Sequence, residues 1–239
     1  MKHKGSYTFL LLLGLIHVPS YGRPLETSVN KIYTPYVQQL ENEIEFQLVI
    51  QEDTEEKFDD IQHHKIAYGQ ALNDKWFLEG ILLGVNDSDH GFNIDGYEIE
   101  LKRQLTEQGE YDNDWGLLFE IERERHADVW EFGATLIALH EFRNWTGLVN
   151  VGLIFESGSS IKSRFETELS AQLKYRYRSW FEPAIEFFKS DSVNAAGPSF
   201  AGRIRLGAGK SIFWNTAALI SFDRSKPDAI YRFNIEYEF

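Results

Sequence analysis

The chain reads as all-β, an antiparallel up-and-down barrel of about twelve strands. Three observations carry this. Apolar and polar residues alternate strictly in successive segments from Glu43 onward, turn signals separate those segments, and no long helical periodicity interrupts them. Residues 229–239 show the pattern most plainly. Tyr231, Phe233, Ile235, Tyr237 and Phe239 fall on one face, and Arg232, Asn234, Glu236 and Glu238 on the other. Successive strand side chains point to opposite faces, so the segment is oily on one side and charged on the other.

Taken in order, the chain begins with Lys2 and Lys4, an apolar run from Thr8 to Val18, and Ser20-Tyr21-Gly22. Basic, apolar and small-residue regions in that order predict a signal peptide over residues 1–22, cleaved after Gly22. The apolar run is too short to cross about 30 Å of hydrocarbon as a helix. Residues 23–40 carry Pro24 and Pro35 without period-two patterning and are expected as an irregular periplasmic lead, with the barrel over residues 41–239. The chain has no Cys, which excludes a lipid-anchored lipoprotein and any disulfide framework.

Strand one is expected near Glu43–Ile50, with Ile44, Phe46, Leu48 and Ile50 on one face. The longest alternation runs from Arg164 to Arg178, enough to cross a membrane at about 3.3 Å per residue even when tilted. Trp115–Arg123, Thr146–Glu156 and Ser199–Ala208 follow the same rule, and His63–Leu72 and Trp76–Val85 follow it less cleanly. Trp76, Trp115, Trp145, Trp180 and Trp214 each come just after a tight-turn signal and recur about every 35 residues, the length of two spanning strands and their connections. Tryptophan favours the membrane–water interface, so these five predict an interfacial girdle. Between them lie connections at Gln51–Asp60, Asn86–Phe92, Glu124–Val129, Ser157–Ser163, Ser190–Pro198 and Asp223–Asp228, several longer and more polar than the turns. Six such loops and five turns make twelve strands.

A closing strand that ends in Phe239, with Tyr237 two residues before it and Ile235 and Phe233 on the same face, resembles that of bacterial outer-membrane β-barrels. The resemblance implies a transmembrane barrel in the outer membrane of a Gram-negative bacterium, with both termini periplasmic. Phe233, Ile235, Tyr237 and Phe239 then form the signal read by the barrel-assembly machinery, and outer-membrane lipids and lipopolysaccharide are the surroundings. Parity by itself does not say which face meets lipid, since a soluble secreted barrel would bury the same apolar rows in its lumen. Aromatics at strand ends and the terminal Phe favour the membrane.

With the apolar face outward, the charged face lines the lumen. Lys174, Arg176, Arg178, Arg203 and Arg205 make a basic sector; Glu43, Glu45, Glu98, Glu100, Glu120, Glu122, Glu186, Glu236 and Glu238 make acidic ones. Opposed walls of this kind set up a transverse field of the sort that orients dipolar solutes, whereas direct pairing would plug the lumen. The tight turn near Ser179 is expected to set Lys174 across from Glu186, and a loop at Ser190–Pro198 to set Glu186 across from Arg203.

The formal net charge of −13, more acidic still without the two leader lysines, disfavours nucleic acid. His140, His126 and His90 have no Ser and acid at a spacing that marks a catalytic triad, so no catalytic residue is assigned and the expectation is a non-enzyme. A lipid hydrolase at the barrel rim is the alternative. The acidic loop with Glu52, Asp53, Glu55, Glu56, Asp59 and Asp60 lacks the spacing of a calcium loop, and no metal or cofactor is assigned. The functional expectation is a narrow channel for small polar solutes or a structural outer-membrane protein, of undetermined oligomeric state.

Overall fold

The computed structural model describes residues 29–54, 59–87, 91–125, 128–159, 161–207, 209–222 and 227–239. The leader, His90 and His126 lie outside the described residues. Twelve antiparallel strands follow one another: β1 (Asn42–Glu52), β2 (Ile61–Ala71), β3 (Trp76–Asp87), β4 (Gly91–Gln104), β5 (Asp114–Glu124), β6 (Val129–Phe142), β7 (Trp145–Gly158), β8 (Arg164–Tyr175), β9 (Glu182–Lys189), β10 (Asn194–Gly207), β11 (Lys210–Ser221) and β12 (Ala229–Glu238). Each pairs with its sequence neighbours and β12 closes on β1. Closure leaves no sheet edge, the condition under which strands can satisfy every backbone group inside a bilayer.

The seam is unbroken from Glu43↔Glu238 to Glu52↔Ala229. Beyond it Asn42 and Phe239 exchange both backbone hydrogen bonds, at 3.2 and 2.8 Å. The last residue is therefore a full member of the closing ladder, and its ring stacks on Tyr237 at 5.4 Å.

Which face meets lipid is decided by the closure. Glu43, Glu45, Gln47 and Gln51 of β1 point inward and are buried, whereas Ile44, Ile66, Leu82, Ile99, Phe119, Leu136 and Val151 lie on the outer surface. Aromatic residues gather at both rims. At the rim that carries Asn42 and Phe239, here the terminal rim, stand Trp76, Trp115 and Trp145, with Trp180 in the β8–β9 turn; Trp145 packs on Tyr175 at 4.9 Å. The opposite, distal rim has Trp130 stacked on Phe132 and Phe155 against Phe165. Trp214 differs from its expected place. It sits four residues into β11, opposite Ile235 and Gly202, below the girdle.

Strand ends also depart from expectation. β10 begins at Asn194, so residues 190–193 make the whole β9–β10 connection, where the Ser190 hydroxyl accepts the Val193 N–H at 3.1 Å. Gly197 and Pro198 pair with β9 but drop out of the β11 ladder. Proline has no N–H to donate, and that segment reads as a loop for the same reason. The longest connection, residues 105–113, lies at the terminal rim, so the expected contrast of short turns and long loops is weak.

The largest departure is the lead. Residues 29–41 adopt neither helix nor strand, as their patterning suggests, but they are not outside the barrel. The chain turns at the terminal rim, with Leu40 at φ 66°, and residues 29–37 run through the lumen. Val29 reaches the distal half, where it packs in a buried cluster with Val49, Phe188, Val193, Leu219 and Ile230.

Candidate functional site: the threaded lumen

The lumen is built by the inward half of every strand and filled in part by the N-terminal segment. That segment is held step by step. The Val37 N–H donates to Gln104 Oε1 at 2.8 Å, and the Tyr36 hydroxyl donates to Asp114 at 2.6 Å. Pro35 rests on Gly116, whose missing side chain makes the room: a Cβ there would stand 2.9 Å from the proline Cα. Tyr33 and Asn150 form a two-way clasp, the Tyr33 N–H donating to Asn150 Oδ1 at 2.8 Å and the Asn150 amide donating to the Tyr33 carbonyl at 3.1 Å. The Tyr33 hydroxyl donates to Glu100 at 2.6 Å. Lys31 pairs with Glu45 and lies 3.8 Å from Glu236, and Arg232 donates to the Asn30 carbonyl at 2.7 Å.

The wall carries rows of facing carboxylates. In one row Glu238 faces Glu43, Glu43 faces Gly69, Gly69 faces Glu79, Glu79 faces Glu100 and Glu100 faces Glu120. In a second, Glu236 faces Glu45; further round, Glu98, Glu122, Glu131 and Glu156 face one another in turn before Arg164. Like charges directly opposite one another destabilise a sheet, so the arrangement attracts cations. Lys65 supplies one, 3.0 Å from Glu98, and Arg164 another, 2.8 Å from Glu156.

On the β8–β12 side the charges pair. Lys174 bonds Glu182 at 2.8 Å, Arg203 bonds Glu238 at 2.7 Å, and the fully buried Arg232 bonds Glu186 at 2.6 Å. The expected Lys174–Glu186 and Glu186–Arg203 oppositions do not occur. Ala184 stands opposite Lys174, Gln172 opposite Glu186, and Gly197 opposite Glu186 on the other side. The turn is centred on Ser179, which sets Lys174 against Ala184, and a Lys174–Glu186 pair would need a centre one residue later; the β9–β10 connection, residues 190–193, is centred three residues short of the one a Glu186–Arg203 pair would need, and β8 ends at Tyr175. Arg176 and Arg178 consequently leave the strand: Arg176 bonds Glu141 at 3.0 Å and Arg178 lies against Tyr177, at the terminal rim. Arg205 is exposed there, near the end of β10. Between the threaded segment and this wall lies a cavity of about 370 Å³, lined by Lys102, Lys174 and Arg203 and by Glu43, Glu182 and Glu236 among others.

Sequence reasoning missed Arg232 as a lumen anchor, along with Glu79, Tyr33 and Lys31. Parity put Arg232 on the charged face, Glu79 falls in the less cleanly alternating Trp76–Val85 segment, and nothing in the lead signalled that it enters the barrel. His140 keeps to the terminal rim, where its Nδ1–H donates to the Asp112 carbonyl at 2.7 Å, beside Asn113 Oδ1 at 3.0 Å, and so secures the 105–113 turn. Three carboxylate groupings come close enough to share an ion: Glu41 with Glu236 and Glu238, Glu43 with Glu45 and Glu79, and Glu98 with Glu100 and Glu120.

No family model matches the chain, and no curated protein matches it in sequence. Its fold is that of solved outer-membrane barrels. An outer-membrane channel from Pseudomonas putida F1 matches with a TM-score of 0.57 at 12% identity, over 88% of this chain and 99% of that one. The KdgM porin in complex with oligogalacturonate matches with a TM-score of 0.51 at 10% identity, over 82% and 99%. The translocator domain of the autotransporter NalP from Neisseria meningitidis matches with a TM-score of 0.50 at 11% identity, over 85% and 88%.

Proposed function

We propose that the protein is a narrow outer-membrane channel for small polar solutes, favouring cationic ones, whose resting lumen is constricted by its own N-terminal segment. The terminal rim then faces the periplasm. The observation that carries this reading is the facing glutamates on the wall from β3 to β8, where, among the described residues, the carboxylates outnumber the cations Lys65 and Arg164 set against them. A low-dielectric wall focuses such a field onto the path of an entering ion. Support for a channel rather than a rim hydrolase comes from the fold shared with channels and from His140, whose Nδ1 is used by the turn.

Reconstitution in planar bilayers tests it. The reversal potential in a KCl gradient should show cation preference, and conductance should rise when Tyr33→Ala and Asn150→Ala together open the clasp. Anion preference would refute the selectivity. Absence of current in both wild type and clasp variant would leave a structural role in the outer membrane.

A further inference from the structure

Glu43, Glu45 and Glu79 converge on one patch of the lumen wall. β2 places Gly69 between Glu43 and Glu79, and its missing side chain leaves room for the Phe77 ring and the Glu43 stem: a Cβ at 69 would collide with Phe77 Cζ and stand 2.9 Å from Glu43 Cγ. One oxygen from each of the three lies within 4.8 Å of the other two. That is the span of two ligands on opposite sides of an ion bound at about 2.4 Å, the calcium–oxygen distance. Beside them is a small cavity of about 10 Å³, bounded by Glu43, Glu79, Lys31, Tyr33, Glu100 and Lys102. It has room for about one water-sized occupant.

A second observation points to a ligand. Glu79 is 4% exposed, and its Oε1 is buried without a hydrogen-bond partner. A buried carboxylate oxygen left so is costly, and a metal ion is one of the few partners that satisfies it. The charge agrees. Glu100 and Glu236 add to the three carboxylates, and Lys31 and Lys102 neutralise only part of the sum.

We propose that Glu43, Glu45 and Glu79 form a binding site for one hard divalent cation of the calcium type, for which Lys31 of the N-terminal segment is the competing occupant. An all-oxygen donor set suits Ca²⁺, Mg²⁺ or Mn²⁺ and disfavours softer metals. Binding at this site requires only the folded barrel and is independent of whether the barrel conducts.

The test uses the processed chain refolded in detergent, with folding verified by its faster migration on unboiled SDS gels. Mn²⁺ is titrated by electron paramagnetic resonance and displaced with Ca²⁺. One ion per barrel is expected, bound at least tenfold more tightly by Lys31→Met and at least tenfold more weakly by Glu79→Gln. Asp59→Asn with Asp60→Asn, in the acidic loop at the distal rim, should change nothing. No binding in wild type and Lys31→Met, or binding indifferent to Glu79→Gln, would overturn the site. Should Glu79→Gln fail to refold, equal affinities of wild type and Lys31→Met would overturn it instead.

Discussion

Arg232 and Glu186 form a fully buried ion pair, so removing either partner strands a charge inside the barrel. The guanidinium bonds Glu186 at 2.6 Å, Asn215 at 2.9 Å and the Asn30 carbonyl at 2.7 Å, while the other Glu186 oxygen accepts from Gln172 at 2.8 Å. Both residues are about 1% exposed at the side chain. Arg232→Met keeps most of the volume but leaves the Glu186 carboxylate buried without its counter-ion, a loss of about 3–5 kcal/mol. Glu186→Met strands the guanidinium and costs a similar amount. The double variant removes both charges, and a buried pair replaced by apolar side chains of similar volume is often close to neutral. Its stability should lie within about 1–2 kcal/mol of wild type, giving a coupling energy of several kcal/mol. Guanidinium unfolding in phospholipid vesicles, followed by tryptophan fluorescence, measures all four corners of the cycle. Single losses below about 1 kcal/mol, the level of an exposed pair, or a double variant as poor as the sum of the singles, would refute the reasoning.

Other perturbations probe other parts of the barrel. Deleting Phe239 removes the Asn42 backbone exchange and the Tyr237 stack, so assembly should fall in cells, read as loss of the fast-migrating unboiled band. Gly116→Val thrusts a side chain into Pro35 and should displace the threaded segment, raising conductance and exposing Lys31 to trypsin while the barrel band persists. Asp128, outside the strands, is held below the ordinary carboxylate value first by the Arg123 hydrogen bond and then by that of Ser159. A depressed carboxylate contributes stability above its unfolded pKa, about 3.9, and that contribution disappears as pH falls through the lower folded value. Trp130, under the Arg123 guanidinium at 5.1 Å, should report this as an acid fluorescence transition that Asp128→Asn abolishes.

Much of the barrel was legible because a strand's side-chain period is two and does not depend on its neighbours. Glu43 to Gln51 and Ala229 to Glu238 announce their inward and outward rows without reference to each other. Register is another matter. The Lys174–Glu186 opposition failed by one residue in the turn centre, because moving that centre by one residue moves every cross-strand partner by two: the register is centred on Ser179 and sets Lys174 against Ala184. Pro198 shows the opposite failure, a residue that reads as loop yet lies in a strand where one ladder lapses around it.

The sequence by itself determined the strand alternation, the twelve-strand count and the identity of the charged face, all of which follow from local periodicity and turn chemistry. Only the tertiary structure decided that residues 29–37 occupy the lumen and that Arg232 answers Glu186, 46 residues away. The reason is physical. Val29, Lys31 and Tyr33 carry no periodic pattern, and their burial depends on a cavity with the right charge that exists only once twelve strands have closed around it.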